Sequence, residues 1–277
     1  MARERTMTSY KRQAGYWRAF FSPLAQNRLL CLLYLLLFPL LTLLDTVVQI
    51  QFERQYGMPW CLADQLCSIT AYPFLGLLSV VLFLYLINHM IKYSFTIPVV
   101  IRQRNKVFLW FHQICQTAVA ALAITLYILL CVLAVSKGLG LEDLNWSTPH
   151  SAYYAYTQTV NTETSLGTIF LCSATSCFLG LMASGTLFLL LRWATDQYLL
   201  GWIVILALGA AERAAESLGF SLLFARLNLT FSRWEAPGRI RYDFLIVLLW
   251  LTVAILVGIA VARRKDFLRV QQKANNE

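Results

Sequence analysis

The feature that most constrains this chain is a series of long apolar runs. The hydrocarbon core of a bilayer is about 30 Å thick, so a helix needs about 20 apolar residues to cross it. Five runs reach about this length, and each contains at most one Asp, Glu, Lys, Arg or His. They are Leu29–Ile50, Tyr72–Ile91, Ile114–Val135, Leu166–Leu191 and Phe244–Ala262.

A sixth run begins at Tyr198 and is only 14 residues long before the charged residues Glu212, Arg213 and Glu216 appear. By its length alone it is suited to a re-entrant segment. If it extends to about Leu218, it makes a full span whose acids and base pair at helical spacing near one end. An even number of spans also returns the basic C-terminus to the side of the basic N-terminus. We therefore expect an all-α, polytopic membrane protein with about six transmembrane helices.

The composition also indicates a membrane protein. The chain is 58% hydrophobic and only 13% charged, which is outside the usual range of soluble globular domains. Six spans and their loops leave no room for a second soluble domain. We expect one transmembrane domain over residues 1–277, with a cytoplasmic segment 1–28, a six-span bundle 29–262 and a cytoplasmic tail 263–277.

Lysine and arginine indicate the orientation, because cytoplasmic loops of membrane proteins carry them in excess. With six spans, 16 of the 23 basic residues lie on the side of both termini. Five of the other seven lie in 212–243, beside four acids. This predicts cytoplasmic termini in a plasma or inner membrane. The net charge of +9 is then mostly a topology signal, and we expect no nucleic-acid binding.

An amphipathic helix is predicted before the first span. Lys11, Arg12 and Arg18 fall on one face. Such a helix lies in the membrane interface and is held by aromatic burial and by anionic lipid headgroups. The alternative is a simple basic anchor that sets the topology. The apolar face consists of Trp17, Phe20, Phe21 and Leu24.

The loop between the second and third spans is basic and too long for a tight turn. Pro98 is suited to begin a short helix that presents Arg102, Arg104 and Lys106 to the cytoplasm. A protruding loop of this kind can be the docking surface for a soluble partner. The alternative is a solvated loop that only sets the topology.

The layout of the chain resembles the membrane subunit of a type-2 ABC exporter of the small bacterial type. The shared features are the N-terminal helix, the spans, this loop, the polar segment after the fifth span and the basic stop after Ala262. The resemblance covers nearly the whole chain and lies in its layout. It implies that the basic loop is the coupling helix, which docks on a separate ATPase. It also implies that Ser217–Trp234 forms re-entrant half-helices at the outer face. The implied coupling residues are Val100, Ile101, Arg102, Gln103, Arg104, Asn105 and Lys106.

The same resemblance implies a permease subunit that exports a hydrophobic or amphipathic substrate, such as a peptide, a lipid-like molecule or a drug. Its expected partners are ABC ATPase subunits, a second copy or a similar permease, and membrane lipid. The chain has no G-x-x-x-x-G-K-[ST] phosphate loop. We therefore expect no enzyme activity and no cofactor on this chain, with ATP and Mg bound by the partner ATPase.

Two other functions remain open from the residues alone. A partner-free secondary transporter or channel usually has polar residues at mid-bilayer and two related halves. Four of the spans contain almost no such residues, and no internal repeat is visible. A non-transporting scaffold, immunity factor or sensor explains the apolar spans equally well.

Four charged residues are candidates for an outer gate or cavity, because ionisable groups in or beside a span are often functional. For Asp45, the alternative is that it marks the membrane boundary, since Gln49 and Gln51 follow. The candidates are Asp45, Glu212, Arg213 and Glu216.

Cys61 and Cys67 lie in the first outer loop, at a spacing that permits a disulfide in an oxidising compartment but does not require one. His89, His112 and His150 do not have the spacing of metal ligands, so we expect no metal site. No G-x-S-x-G nucleophile motif occurs, and no catalytic residue is predicted.

Overall fold

The computed structural model describes residues 28–91, 106–214 and 221–265, with side chains from Leu32 onward. Within these ranges the chain forms helices and no strand. The helices are α1 (Arg28–Gln55), α2 (Leu62–Ser68), α3 (Tyr72–Ile91, π-helical over Tyr72–Ser79), α4 (Lys106–Gly138), α5 (Ala152–Thr157), α6 (Leu166–Thr195), α7 (Tyr198–Ala214), α8 (Phe224–Leu227) and α9 (Pro237–Arg264), with a 3₁₀ turn at Phe231–Glu235.

Five of the described helices, α1, α3, α4, α6 and α9, are long and apolar enough to cross a membrane. The architecture therefore agrees with the predicted polytopic, all-helical membrane protein. α7 has 17 residues and is shorter than these five. Several predicted features lie outside the described residues. They are the N-terminal helix, the coupling residues 100–105, Glu216 and the tail after Lys265.

Four of the long helices extend beyond the apolar runs that predicted them, whereas α3 has the bounds of its run. α1 continues to Gln55, and α4 begins at Lys106, eight residues before the predicted span. The apolar runs mark only the part of a helix that needs a hydrocarbon environment, whereas backbone hydrogen bonding continues into the polar ends. The glutamines after Asp45 therefore belong to α1.

α6 lies at the centre of the bundle and contacts α3, α4, α7 and α9. Gly185 lets the helices approach closely, because a Cβ there would lie 2.5 Å from Thr117 Cγ2 and 2.8 Å from Phe83 Cε1. This glycine therefore serves helix packing. α1 and α9 are at the periphery and expose long apolar faces.

The bundle has two ends that differ in construction. We call the end that carries α2, α5 and the 3₁₀ turn the α2 face. The other end, the Lys265 face, is formed by the ends of α3, α4, α6 and α9. There Lys265 Nζ donates to the Trp193 carbonyl at 2.5 Å and to Asp196, and Arg192 Nη1 donates to Asn88 Oδ1 at 2.8 Å.

Close packing joins α4 to α9 near the Lys265 face. Trp110 is fully buried, and its ring lies edge-on to Trp193 with 6.0 Å between the centroids. Gly258 of α9 lies against the Trp110 indole, since a Cβ at this position would be 2.0 Å from Cζ2. Even the smallest side chain would therefore displace the tryptophan ring.

We expect Gly258→Ala to destabilise the bundle, because overpacking a buried contact costs about 1–3 kcal/mol. Thermal unfolding of the purified protein in detergent measures the effect. Gly138→Ala is the matched control, since a Cβ there meets nothing within 4 Å. A Gly258→Ala protein as stable as the control would contradict this packing.

Candidate functional site

The candidate site lies at the α2 face and begins with a polar stripe on α1. Asp45, Gln49 and Glu53 are spaced four residues apart, so they share one side of the helix. The Asp45 carboxylate accepts hydrogen bonds from Gln65 Nε2 at 2.7 Å and from Ser68 Oγ at 3.0 Å. The stripe therefore faces α2 and attaches that short helix to α1.

α2 is held by a buried carboxylate. Asp64 has 0% of its surface exposed. Its Oδ1 accepts from Trp146 Nε1 at 2.6 Å, and its Oδ2 accepts from the Cys61 amide at 2.9 Å. Loss of hydration on burial raises the pKa of Asp64 to about 6, although these hydrogen bonds act in the opposite direction. A titratable group thus joins α2 to the loop that follows α4.

A cavity of about 390 Å³ opens between α1, α2, α5 and residues 228–232. Glu53 lines it with only 1% of its surface exposed. Its Oε1 accepts from the Tyr156 hydroxyl at 3.1 Å, whereas its Oε2 has no hydrogen-bond partner among the described residues. Burial and the neighbouring Glu53 carboxylate raise the pKa of Tyr156 to about 12, so the phenol stays a donor at neutral pH.

Part of the cavity wall is aromatic, and Phe231 of the 3₁₀ turn is at the centre of an aromatic cluster there. Its ring stacks on Tyr156 at 5.4 Å and lies edge-on to Trp60, Trp146 and Tyr153 at 6.4, 6.0 and 5.9 Å. Edge-on and offset contacts are the favourable geometries for aromatic pairs. The Phe231 ring therefore connects the loop before α2, the loop after α4 and α5.

The segment after α7 is fixed by Glu212, which has 1% of its surface exposed. Its two carboxylate oxygens accept from the Leu223 amide at 2.8 Å and from the Ala225 amide at 2.7 Å. These amides begin α8, and a helix start leaves such donors without intrahelical partners. Glu212 therefore caps α8 from a neighbouring helix.

A second carboxylate fixes the end of the same segment. Asp243 of α9 accepts from Arg226 Nη1 and from Arg233 Nη1, each at 2.8 Å. Arg233 also donates to the carbonyls of Arg226 at 2.8 Å and Ala225 at 2.6 Å. The Arg233 guanidinium thus satisfies the carbonyl end of α8, and both arginines bind this segment to α9.

α8 is enclosed by the long helices. Ser176 Oγ of α6 donates to the Leu227 carbonyl, and Leu227 packs with Leu179 and Val247. The Leu229 amide donates to Thr70 Oγ1 at 2.8 Å. Ser176 is ten residues from the start of α6, so Leu227 lies about 15 Å along that helix.

The structure separates the predicted gate residues. Asp45 bonds to α2 behind the cavity, and Glu212 caps α8. Glu212 binds backbone amides, whereas the sequence had suggested that it pairs with the charges beside it. Arg213 is exposed in the last turn of α7. Among the described residues, Asp45, Glu212 and Arg213 therefore do not form one cluster.

Cys61 and Cys67 are free, buried thiols at the two ends of α2. Six residues of helix advance the chain by about 9 Å, more than the roughly 7 Å between Cα atoms that a disulfide tolerates. The helix therefore keeps the two sulfurs apart. Burial raises the pKa of both thiols, which keeps them protonated.

Sequence reasoning missed Glu53, Asp64 and Tyr156. The spacing of Asp45, Gln49 and Glu53 was a usable signal for a polar helix face. Asp64 had no comparable signal, because its tryptophan partner is 82 residues away.

Comparison of the chain with known protein families, with curated proteins and with solved structures found no match. The function must therefore be argued from the geometry of this chain.

We expect Glu212→Ala to destabilise the protein by about 2–6 kcal/mol, because two partly buried amide donors lose their acceptor at about 1–3 kcal/mol each. Glu235→Ala removes an exposed glutamate next to the same segment and is the control. Unfolding in detergent measures both variants. Equal stability of the two variants would be incompatible with the cap.

The pKa of Asp64 predicts a pH dependence. The folded pKa of about 6 lies above the usual 3.8, so the folded state binds the proton more tightly than the unfolded state. Stability then falls as pH rises from about 4 to about 6 and stays at the lower level above that range. We expect this group to make the wild type about 1 kcal/mol more stable at pH 5 than at pH 7.

Asp64→Asn keeps an acceptor for Trp146 and removes the proton equilibrium, so this component should disappear. Glu142→Gln, at an exposed acid on the same face, should keep it. Melting curves across this pH range for the three proteins test the assignment. An unchanged pH profile for Asp64→Asn would show that another group titrates.

Proposed function

We propose that the chain is the permease subunit of an ATP-driven exporter and works with separate ABC ATPase subunits. The observation that carries this proposal is the position of α8. The segment between α7 and α9 turns back among α6, α7 and α9, held by Glu212 and Asp243. This is the place in the chain where type-2 exporters, which the sequence resembles, have their re-entrant half-helices.

In this proposal α7 is the fifth of six spans. Its 17 residues give a length of about 25 Å, slightly less than the hydrocarbon core. α7 follows α6 after a two-residue turn, and Gly201 contacts Phe188 across it, so the two helices run back along each other. With six spans, the positive-inside bias places both termini in the cytoplasm and the α2 face outside the cell.

An apolar cavity agrees with a hydrophobic or amphipathic substrate. It has a volume of about 240 Å³ and lies between α6, α7, α9 and the start of the α8 segment. Its lining is entirely apolar: Ala183, Leu187, Leu208, Leu222, Leu223, Trp250, Leu251 and Ala254. A cavity of this size accommodates part of an acyl chain or a large apolar side chain.

The test is whether the tagged chain, purified from its own host in mild detergent, brings an ABC ATPase with it. We expect Arg102→Ala with Arg104→Ala to abolish this association while the chain stays folded. Arg263→Ala with Arg264→Ala removes the same charge on the same predicted side and should keep the ATPase. Absence of an ATPase from the wild-type preparation would refute the proposed function, and retention by the Arg102 and Arg104 variant would refute the coupling loop.

A further inference from the structure

The cavity at the α2 face has the chemistry of a cation site. Two carboxylates, Glu53 and Asp64, line it. Among the described residues that form its wall there is no lysine, arginine or histidine. The two acids repel each other, and a bound positive charge relieves that repulsion.

Glu53 provides the second, independent observation. It is almost completely buried, yet its Oε2 has no partner in the part of the chain that the structure describes. A buried carboxylate oxygen without a donor is costly. Tyr156 fixes the other oxygen, Oε1, from α5. The carboxylate is therefore held in one orientation with one acceptor unused.

The other residues of the cavity wall indicate which kind of cation fits. Metal ions such as Ca²⁺ need six to eight oxygen ligands, and no three acids, histidines or cysteines come together as metal ligands within the described ranges. The rings of Trp60, Tyr156 and Phe231 instead line the cavity. Aromatic faces beside a carboxylate are the usual surroundings of an organic ammonium group.

We propose that this cavity binds an organic ammonium group, with Glu53 as its counter-ion and Trp60, Tyr156 and Phe231 as its aromatic contacts. The volume of about 390 Å³ suits a small molecule or a headgroup. The ammonium comes either from a soluble amine or from a lipid headgroup. The site does not depend on the ATPase partnership proposed above.

The test uses the purified chain in detergent and two ligands of nearly equal shape, choline and its neutral analogue 3,3-dimethyl-1-butanol. We expect calorimetry to show that choline binds at least about tenfold more tightly, because only choline carries the charge that Glu53 and the aromatic rings recognise. Equal binding of the two ligands, or no binding of choline, would overturn the proposal. This comparison uses the wild type and does not depend on the folding of a variant.

Glu53→Gln keeps the acceptor for Tyr156 and removes the charge, so it should weaken choline binding at least about tenfold. Glu142→Gln makes the same change at an exposed acid of the α2 face and should leave binding unchanged. Choline binding by a folded Glu53→Gln protein with wild-type affinity would show that the cation lies elsewhere.

Lipid nanodiscs identify the source of the ammonium group. The chain is placed in discs of phosphatidylglycerol alone or with added phosphatidylcholine. Weaker choline binding in the mixed discs supports the proposal with a lipid headgroup as the occupant. Equal choline binding in both discs supports it with a soluble amine as the occupant.

Discussion

The construction of the α2 face depends on the Glu212 carboxylate and the two backbone amides that it accepts. A short helix among long apolar helices needs internal partners for its backbone ends, because lipid offers none. Glu212 satisfies the amide end of α8, and Arg233, held by Asp243, satisfies its carbonyl end. This pair of contacts allows polar backbone to lie beside Ser176, well along α6.

Once α8 is fixed, the residues that follow it are fixed as well. Leu229 reaches Thr70 at the start of α3, and Phe231 enters the aromatic cluster of Trp60, Trp146 and Tyr156. The cavity beside Glu53 is thus built by α1, α2, α5 and residues 228–232, which are far apart in the sequence. Asp45 and Glu212, which sequence reasoning treated as gate residues, organise this layer, whereas Glu53 and Asp64 line the cavity.

The spans were predictable because the length of an apolar run is a local property, and each run became a helix, in four cases one that extends beyond the run. The α2 face was less predictable. Glu212 binds amides 11 and 13 residues away, and a backbone amide leaves no signal in the sequence. Asp64 meets Trp146 only through the fold. The predicted coupling loop and interfacial helix lie outside the described residues, so they stay predictions, as does the ATPase partnership.

The most direct test of this account is a cryo-EM structure of the chain in a lipid nanodisc, in which the depth of α8 is measured against the headgroup layer. The account predicts that Leu227 lies inside the disc beside Ser176, with both Glu212 oxygens at hydrogen-bond distance from the Leu223 and Ala225 amides. An α8 that lies above the headgroups, separated from α6 and Glu212, would contradict it.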